Sequence, residues 1–397
     1  MHAPPPEHPL IPQGEPELIA EPTALTSFLE HLREMGTFAF DTEFIGESNY
    51  QPRTCLIQLA TSRRVALVDP LRLGDVTEVW EVVGDPSVTT IVHAGASDLS
   101  PVRRHLGRDP ANLIDVQVAA GFAGMPYPSS LANLVERFAG HGLAKGHTFT
   151  DWDARPLSAS QLLYAADDVR FLPLVWDVLR EELVGRGRVR WAEVESNGRL
   201  DDPHVFDPVA QARRAARGYE LNSSQETLLR ALCIARDAIA RQENLPHRTT
   251  IPDGSLLEIL RDLPQTRLQL VDVRGMPRPI VARHGDMLLK VLADNPTERT
   301  TWFTGGKRHD HDSGTRAVVD AMLAESLRAC EELGIAHMLA VTRAELTRYA
   351  ARSRNLRAEG IEPPPLFAEP NWRREAFGGR IESAAQITPA QPGLELG

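Results

Sequence analysis

Cysteine is scarce: Cys55, Cys233 and Cys330 are the only three in 397 residues, far apart and without a C-x-x-C. That excludes a disulfide framework and a paired-cysteine zinc module, and it predicts a reduced, cytoplasmic setting. No apolar run approaches the ~20 residues that cross a bilayer. The opening MHAPPPEHPL has neither a basic nor an apolar signal region, so no leader is expected. Lysine is nearly missing, with Lys145, Lys290 and Lys307 the only three among 43 basic residues. With so strong a compositional bias, single arginines carry little meaning. Positive charge is not in excess either, and a net charge of −11 taken alone speaks against a nucleic-acid partner. The distribution says more: residues 1–183 hold 13 Lys/Arg against 25 Asp/Glu, whereas residues 208–290 hold 13 against 9. An acidic first part that gathers divalent cations and a basic segment that attracts phosphate are compatible with such a partner.

What is present begins with Thr37–Ile45, TFAFDTEFI. Read with period two, Thr37, Ala39, Asp41 and Glu43 fall on one face and Phe38, Phe40, Thr42 and Phe44 on the other. Carboxylates at i and i+2 stand roughly 6 to 7 Å apart along a strand, so both can reach one ion or a close pair of ions. Burying two like charges together demands a compensating cation; the bland alternative is an edge strand with two solvated acids. Further on, the small residues of His93–Leu99 (HAGASDL) let Asp98 sit in the first turn of a helix, where an acid also serves as a plain cap. Ser158 and Gln161 form a capping box opening a long helix to about Leu183. In it Tyr164 and Asp168 are four apart and share a face, while Asp167 is turned away by about 100°. Tyr164 taken singly is equally a core tyrosine. Four carboxylates delivered in this order by three elements can hold two divalent ions roughly 3.5 to 4 Å apart, which clamps both oxygens of a phosphoryl transfer.

FDTEF, HAGASDL and YAADD resemble, in order, the three motifs of the DEDD 3′–5′ exonucleases of the tyrosine subclass. Within that superfamily the chain is similar in particular to the ribonuclease D family: Leu143–Ser158 looks like its loop between the second and third motifs. Arg236–Pro246, Ile251–Asp253 and Leu256–Leu257 resemble the HRDC helical domain, and Arg343–Trp372 a more diverged second copy. Ala235 departs by standing where tryptophan is frequent, and Val271–Asp286 reads as a long Pro-rich loop.

The resemblance implies a ribonuclease H-like mixed α/β sheet followed by all-α HRDC-type bundles. It implies Asp41, Glu43, Asp98 and Asp168 as ligands of two divalent ions (Mg²⁺ or Mn²⁺) and Tyr164 as the group that orients the attacking water. Lys145 would bind a phosphate, with Thr42, Phe44, Gln58 and His93 near the terminal nucleotide. The implied substrate is a single-stranded RNA 3′ end, with tRNA precursors as the natural class and nucleoside 5′-monophosphates as products. DNA is the rival substrate, and a binding adaptor with a dead nuclease domain is the reading from another class.

The layout expected is a disordered tail over 1–22, the exonuclease domain over 23–184 and a linker over 185–212. An HRDC domain over 213–296, a linker loop over 297–313, a second helical domain over 314–380 and a disordered tail over 381–397 follow. Lys307–Asp312 (KRHDHD) reads as solvated linker rather than a metal motif.

Overall fold

The computed structural model describes residues 4–46, 48–143, 151–198, 206–217, 219, 221–297, 313–368 and 371–385. Six strands, β1 (Glu17–Ile19), β2 (Thr37–Ile45), β3 (Arg53–Ala60), β4 (Val65–Val68), β5 (Thr89–Val92) and β6 (Leu113–Asp115), form one mixed sheet in the order β1-β4-β3-β2-β5-β6. β3 and β4 are antiparallel, while β2 runs parallel to β5 and β5 to β6. The alternation along β2 decides what the sheet presents. Phe38 and Phe40 pack with Phe28, Leu32 and Trp80 from the helices Pro22–Met35 and Thr77–Val83. Ala39 faces the opposite layer, with Ala166, Val169 and Leu172. Asp41 and Glu43 share the parity of Ala39 and are therefore carried onto the face covered by the helix Ala159–Arg170.

Several expectations are corrected. The helix from Ser158 to Leu183 is two helices, Ala159–Arg170 and Leu172–Gly185, parted at Phe171. Pro173 lies in the first turn of the second, and a proline there cannot continue the preceding hydrogen-bond ladder. The N-terminal stretch expected to be disordered contributes β1, paired in parallel with β4. Its Ile11 and Ile19 are buried, and the carbonyls of Pro12 and Gly14 accept from the buried Arg170 guanidinium at 2.6 and 3.1 Å. The expected linker over 185–212 carries the helix Val189–Gly198, whose Trp191 and Ala192 enter the core. Much of Val271–Asp286 is helical, because Pro277 and Pro279 stand at the N-terminus of the helix Arg278–Asp294, where proline is well suited.

By contact the chain forms two compact units. One takes residues 1–43, 56–201 and 309–397. Its helices Ser313–Leu333, Arg343–Ala358 and Trp372–Phe377 bring Met322, Leu346, Trp372 and Phe377 into one apolar cluster with Phe122, Leu134 and Trp191. The other takes residues 44–55 and 202–308. It is built on the helix Ser223–Glu243, with an Asn222/Gln225 capping box and the stripe Leu228, Leu232 and Ile239. Within it the Tyr50 hydroxyl donates to Asp237 at 2.7 Å, beside His247 and Arg241 on the same carboxylate. Lys307–Asp312 and the end of the chain beyond Ala385 lie outside the described residues. Among the described residues no helix is long and apolar enough to cross a membrane.

Candidate active site

The acids arrive from three elements of the first unit. β2 supplies Asp41 and Glu43. After β5 the chain turns through His93–Leu99, with Ala94 left-handed (φ 55°) and tied by its N–H to Asp115. A Cβ on Gly95 would lie 2.7 Å from the Val92 Cβ, so glycine is needed for this turn. The turn delivers Asp98, which precedes the helix Ser100–Leu106 instead of occupying its first turn as expected. The helix Ala159–Arg170, opened by the predicted Ser158/Gln161 box, supplies Tyr164 and Asp168 one turn apart, and the phenol donates to Asp168. Asp167, turned away, pairs with Arg170 at 3.2 Å.

The electrostatics show the convergence. Burial, then the charges of Asp98, Asp168 and Glu43, holds the Asp41 carboxyl well above its usual range. Burial, then Asp168 and Asp98, pushes Glu43 up to about 8. Asp168 is raised to about 7, chiefly by burial, against the opposing hydrogen bond from Tyr164. Asp98 is raised by burial and restrained by the Thr42 hydroxyl, which donates to it at 2.5 Å. The Tyr164 phenol is raised by burial and then by the charges of Asp168 and Glu43. Each acid feels its neighbours across one small region, and every donor in the set is oxygen, the type a hard divalent cation takes. Among the described residues no three of the acids form a finished cage; what is shown is a crowd of like charges that a cation would relieve.

The remaining candidates are distributed unevenly. Thr42 is buried and engaged with Asp98. Gln58 is fully buried on β3 with neither amide atom partnered among the described residues, at the parity that shares the face of Ala60 and Ala39. His93 Nε2 stands 2.9 Å from the Ser129 carbonyl, so its ring is already engaged. Phe44, at the end of β2, is 38% exposed, and Lys145 lies outside the described residues.

One contributor was expected in a different role, and another was not singled out from sequence. Thr42 supports Asp98, a bond between residues 56 apart that no local rule anticipates. Asp69 takes both Nε and Nη2 of Arg155, at 2.7 and 2.8 Å, and Arg155 also donates to the Trp152 carbonyl at 2.8 Å. Trp152 is thereby fixed with its ring 6.1 Å from that of Tyr164. The segment Leu143–Ser158 is thus anchored near its end, and nothing in the sequence near Asp69 announces this partner.

A 3′–5′ exonuclease family model matches residues 16–184, and an HRDC domain model matches residues 225–292. Ribonuclease D of Gluconacetobacter diazotrophicus is 33% identical over 374 residues, 92% of this chain and 91% of that one. The Acidiphilium cryptum ribonuclease D is 32% identical, over 94% and 95%. Among solved structures, RNase D of Escherichia coli, an exoribonuclease involved in structured RNA processing, superposes with a TM-score of 0.78 at 27% identity, covering 95% of this chain and all of that one. With both domain types matched and likeness running nearly end to end, this chain belongs to the ribonuclease D family of 3′–5′ exonucleases.

Proposed function

We propose that this chain shortens RNA from single-stranded 3′ ends, with Asp41, Glu43, Asp98 and Asp168 holding two divalent cations, Mg²⁺ or Mn²⁺. The observation that carries the reading is the convergence of the four carboxyls, all raised by burial and three of them further by the charges of neighbouring acids. The cations, when bound, supply Lewis-acid activation of water and neutralise charge on the departing 3′ oxygen. The chain's own groups do the rest. Thr42 keeps the Asp98 carboxylate oriented. Tyr164, its phenol raised above the ordinary value of 10, stays protonated across the neutral range. It therefore orients the attacking water by hydrogen bonding rather than acting as a free base.

Precursors of tRNA are the substrate class and nucleoside 5′-monophosphates the products; the ribonuclease D relatives support RNA over DNA. The three cysteines, all buried and none in a disulfide, support a reducing, cytoplasmic setting.

A 5′-labelled RNA hairpin with a 3′ tail, and its DNA counterpart, incubated with Mg²⁺, Mn²⁺ or EDTA, tests the proposal. A cation-dependent ladder shortening from the 3′ end of the RNA is expected. Asp41→Asn should lose at least the roughly 100-fold that even outer-shell changes at metal sites reach. An Asp41→Asn enzyme of full activity would remove the two-cation assignment, and equal cleavage of DNA would remove the RNA preference.

A further inference from the structure

A cavity of about 920 Å³ lies within the first unit, lined by none of the residues of the acid site. That volume is near the upper end of small-molecule sites. Its walls include the helix Val189–Gly198, residues 338–342, the helix Arg343–Ala358, and residues 364–367 and 371–373. The helix Arg343–Ala358 turns Glu345, Arg348, Tyr349, Arg352 and Ser353 to it, the spacing i, i+3, i+4, i+7, i+8 of one helical stripe. A stripe at that spacing is ordinarily apolar, and here it is charged and aromatic.

The acids of the lining are already committed. Glu345 accepts from the Thr342 N–H and hydroxyl at 2.6 and 2.7 Å. Glu195 is taken by the Trp372 indole at 2.6 Å and by two nitrogens of Arg373 at 2.9 and 2.6 Å. Arg348 and Arg352 are exposed, one turn apart, and neither makes an ion pair or hydrogen bond among the described residues; Arg348 acts on Glu345 through its charge alone. Ser353 is only 4% exposed, lines the cavity, and its hydroxyl has no hydrogen-bond partner among the described residues. A buried hydroxyl left unpaired is costly, so it calls for an explanation. Tyr349 lies between the two arginines in sequence, and Tyr127 also lines the cavity.

The geometry points to a second nucleotide site in this cavity, with a phosphate held by Arg348 and Arg352, a ribose or phosphate oxygen bonded to Ser353, and a base against Tyr349. Guanidinium groups in a pair match phosphate oxygens, and a tyrosine ring offers a base a sequence-tolerant stacking surface. The nucleotide has two possible sources, a free mononucleotide or one unit of an RNA strand, and both present the same chemistry.

Calorimetric titration of the full chain in EDTA, with AMP and with a pentaribonucleotide, distinguishes them. AMP should bind the native chain and Asp41→Asn alike, because the site does not depend on the acids. The double variant Arg348→Ala/Arg352→Ala should weaken AMP binding at least tenfold, and Ser353→Ala two- to fivefold. Both arginines are exposed, so the double variant should keep its unfolding temperature, and that is measured alongside. Pentanucleotide binding at least tenfold tighter than AMP and lost with the same arginines identifies a strand as the source; equal affinities identify the free nucleotide. No saturable binding of either ligand, or binding unchanged in the folded double variant, overturns the proposal.

Discussion

Burial, and after it the charges of neighbouring acids, raise the Glu43 and Asp168 carboxyls, and this makes a stability prediction with a definite sign. A carboxyl raised in the folded state holds its proton more tightly folded than unfolded, so folding is favoured at low pH and loses that advantage as pH rises. For Glu43 the window runs from its ordinary 4.5 to about 8, and for Asp168 from 3.8 to about 7. In EDTA the unfolding temperature of the chain should therefore fall as pH is raised from 5 to 8. With millimolar Mn²⁺ the fall should be smaller, since a bound cation stabilises the ionised forms. Thermal scans across that range with and without Mn²⁺ measure the difference, in which contributions from all other groups cancel; parallel curves would count against cation binding by these acids. At this scale the sequence is highly legible. Asp41 and Glu43 are placed by the two-residue repeat of a strand, and Tyr164 and Asp168 by the four-residue spacing of a helix. The bond from Thr42 to Asp98 joins residues 56 apart and follows from no repeat.

Among elements, the ion pair of Arg155 with Asp69 holds the segment that places Trp152 beside Tyr164. Asp69 has a side chain only 1% exposed and Arg155 one of 23%. Removing one partner of such a pair leaves a charge buried alone, costing about 3–5 kcal/mol. The pair Arg64–Glu17 has comparable geometry at 2.6 Å but side chains 34% and 44% exposed, and exposed pairs contribute only about 0–1 kcal/mol. Arg155→Ala should accordingly destabilise by about 3 kcal/mol in urea unfolding and lower the cleavage rate by freeing Trp152 beside Tyr164. Arg64→Ala should do neither. Equal effects of the two substitutions would mean that burial is not what distinguishes the pairs. Elements were legible where a local signal was strong, as at the Ser158/Gln161 box, and illegible where tertiary partners supplied the order. Nothing near Glu17 announces a strand, because that strand exists only by pairing with β4. The break at Phe171 was readable from Pro173, whose effect the apolar periodicity on both sides concealed.

At the scale of the first unit, the C-terminal helices and the sheet's helices share one core, a relation carried by contacts between residues far apart in the chain. Trp372 stands 4.8 Å from the Phe122 ring, edge to face, and 5.6 Å from Trp191. Its indole donates to Glu195, which lies 177 residues away in sequence. Such separations explain why residues 314–380 read as a body of their own: each helix is locally complete, and only its apolar face shows that it is shared. A shared core implies shared cooperativity. Trp372→Ala opens a cavity between Phe122, Trp191 and Phe377 and should cost about 3–5 kcal/mol. This loss belongs to the unit that also carries Asp41, Asp98 and Asp168. The temperature at which nuclease activity is lost should therefore fall together with the unfolding temperature of the C-terminal helices. Activity that survives heating past the unfolding of those helices in the Trp372→Ala chain would show that the sheet stands without them.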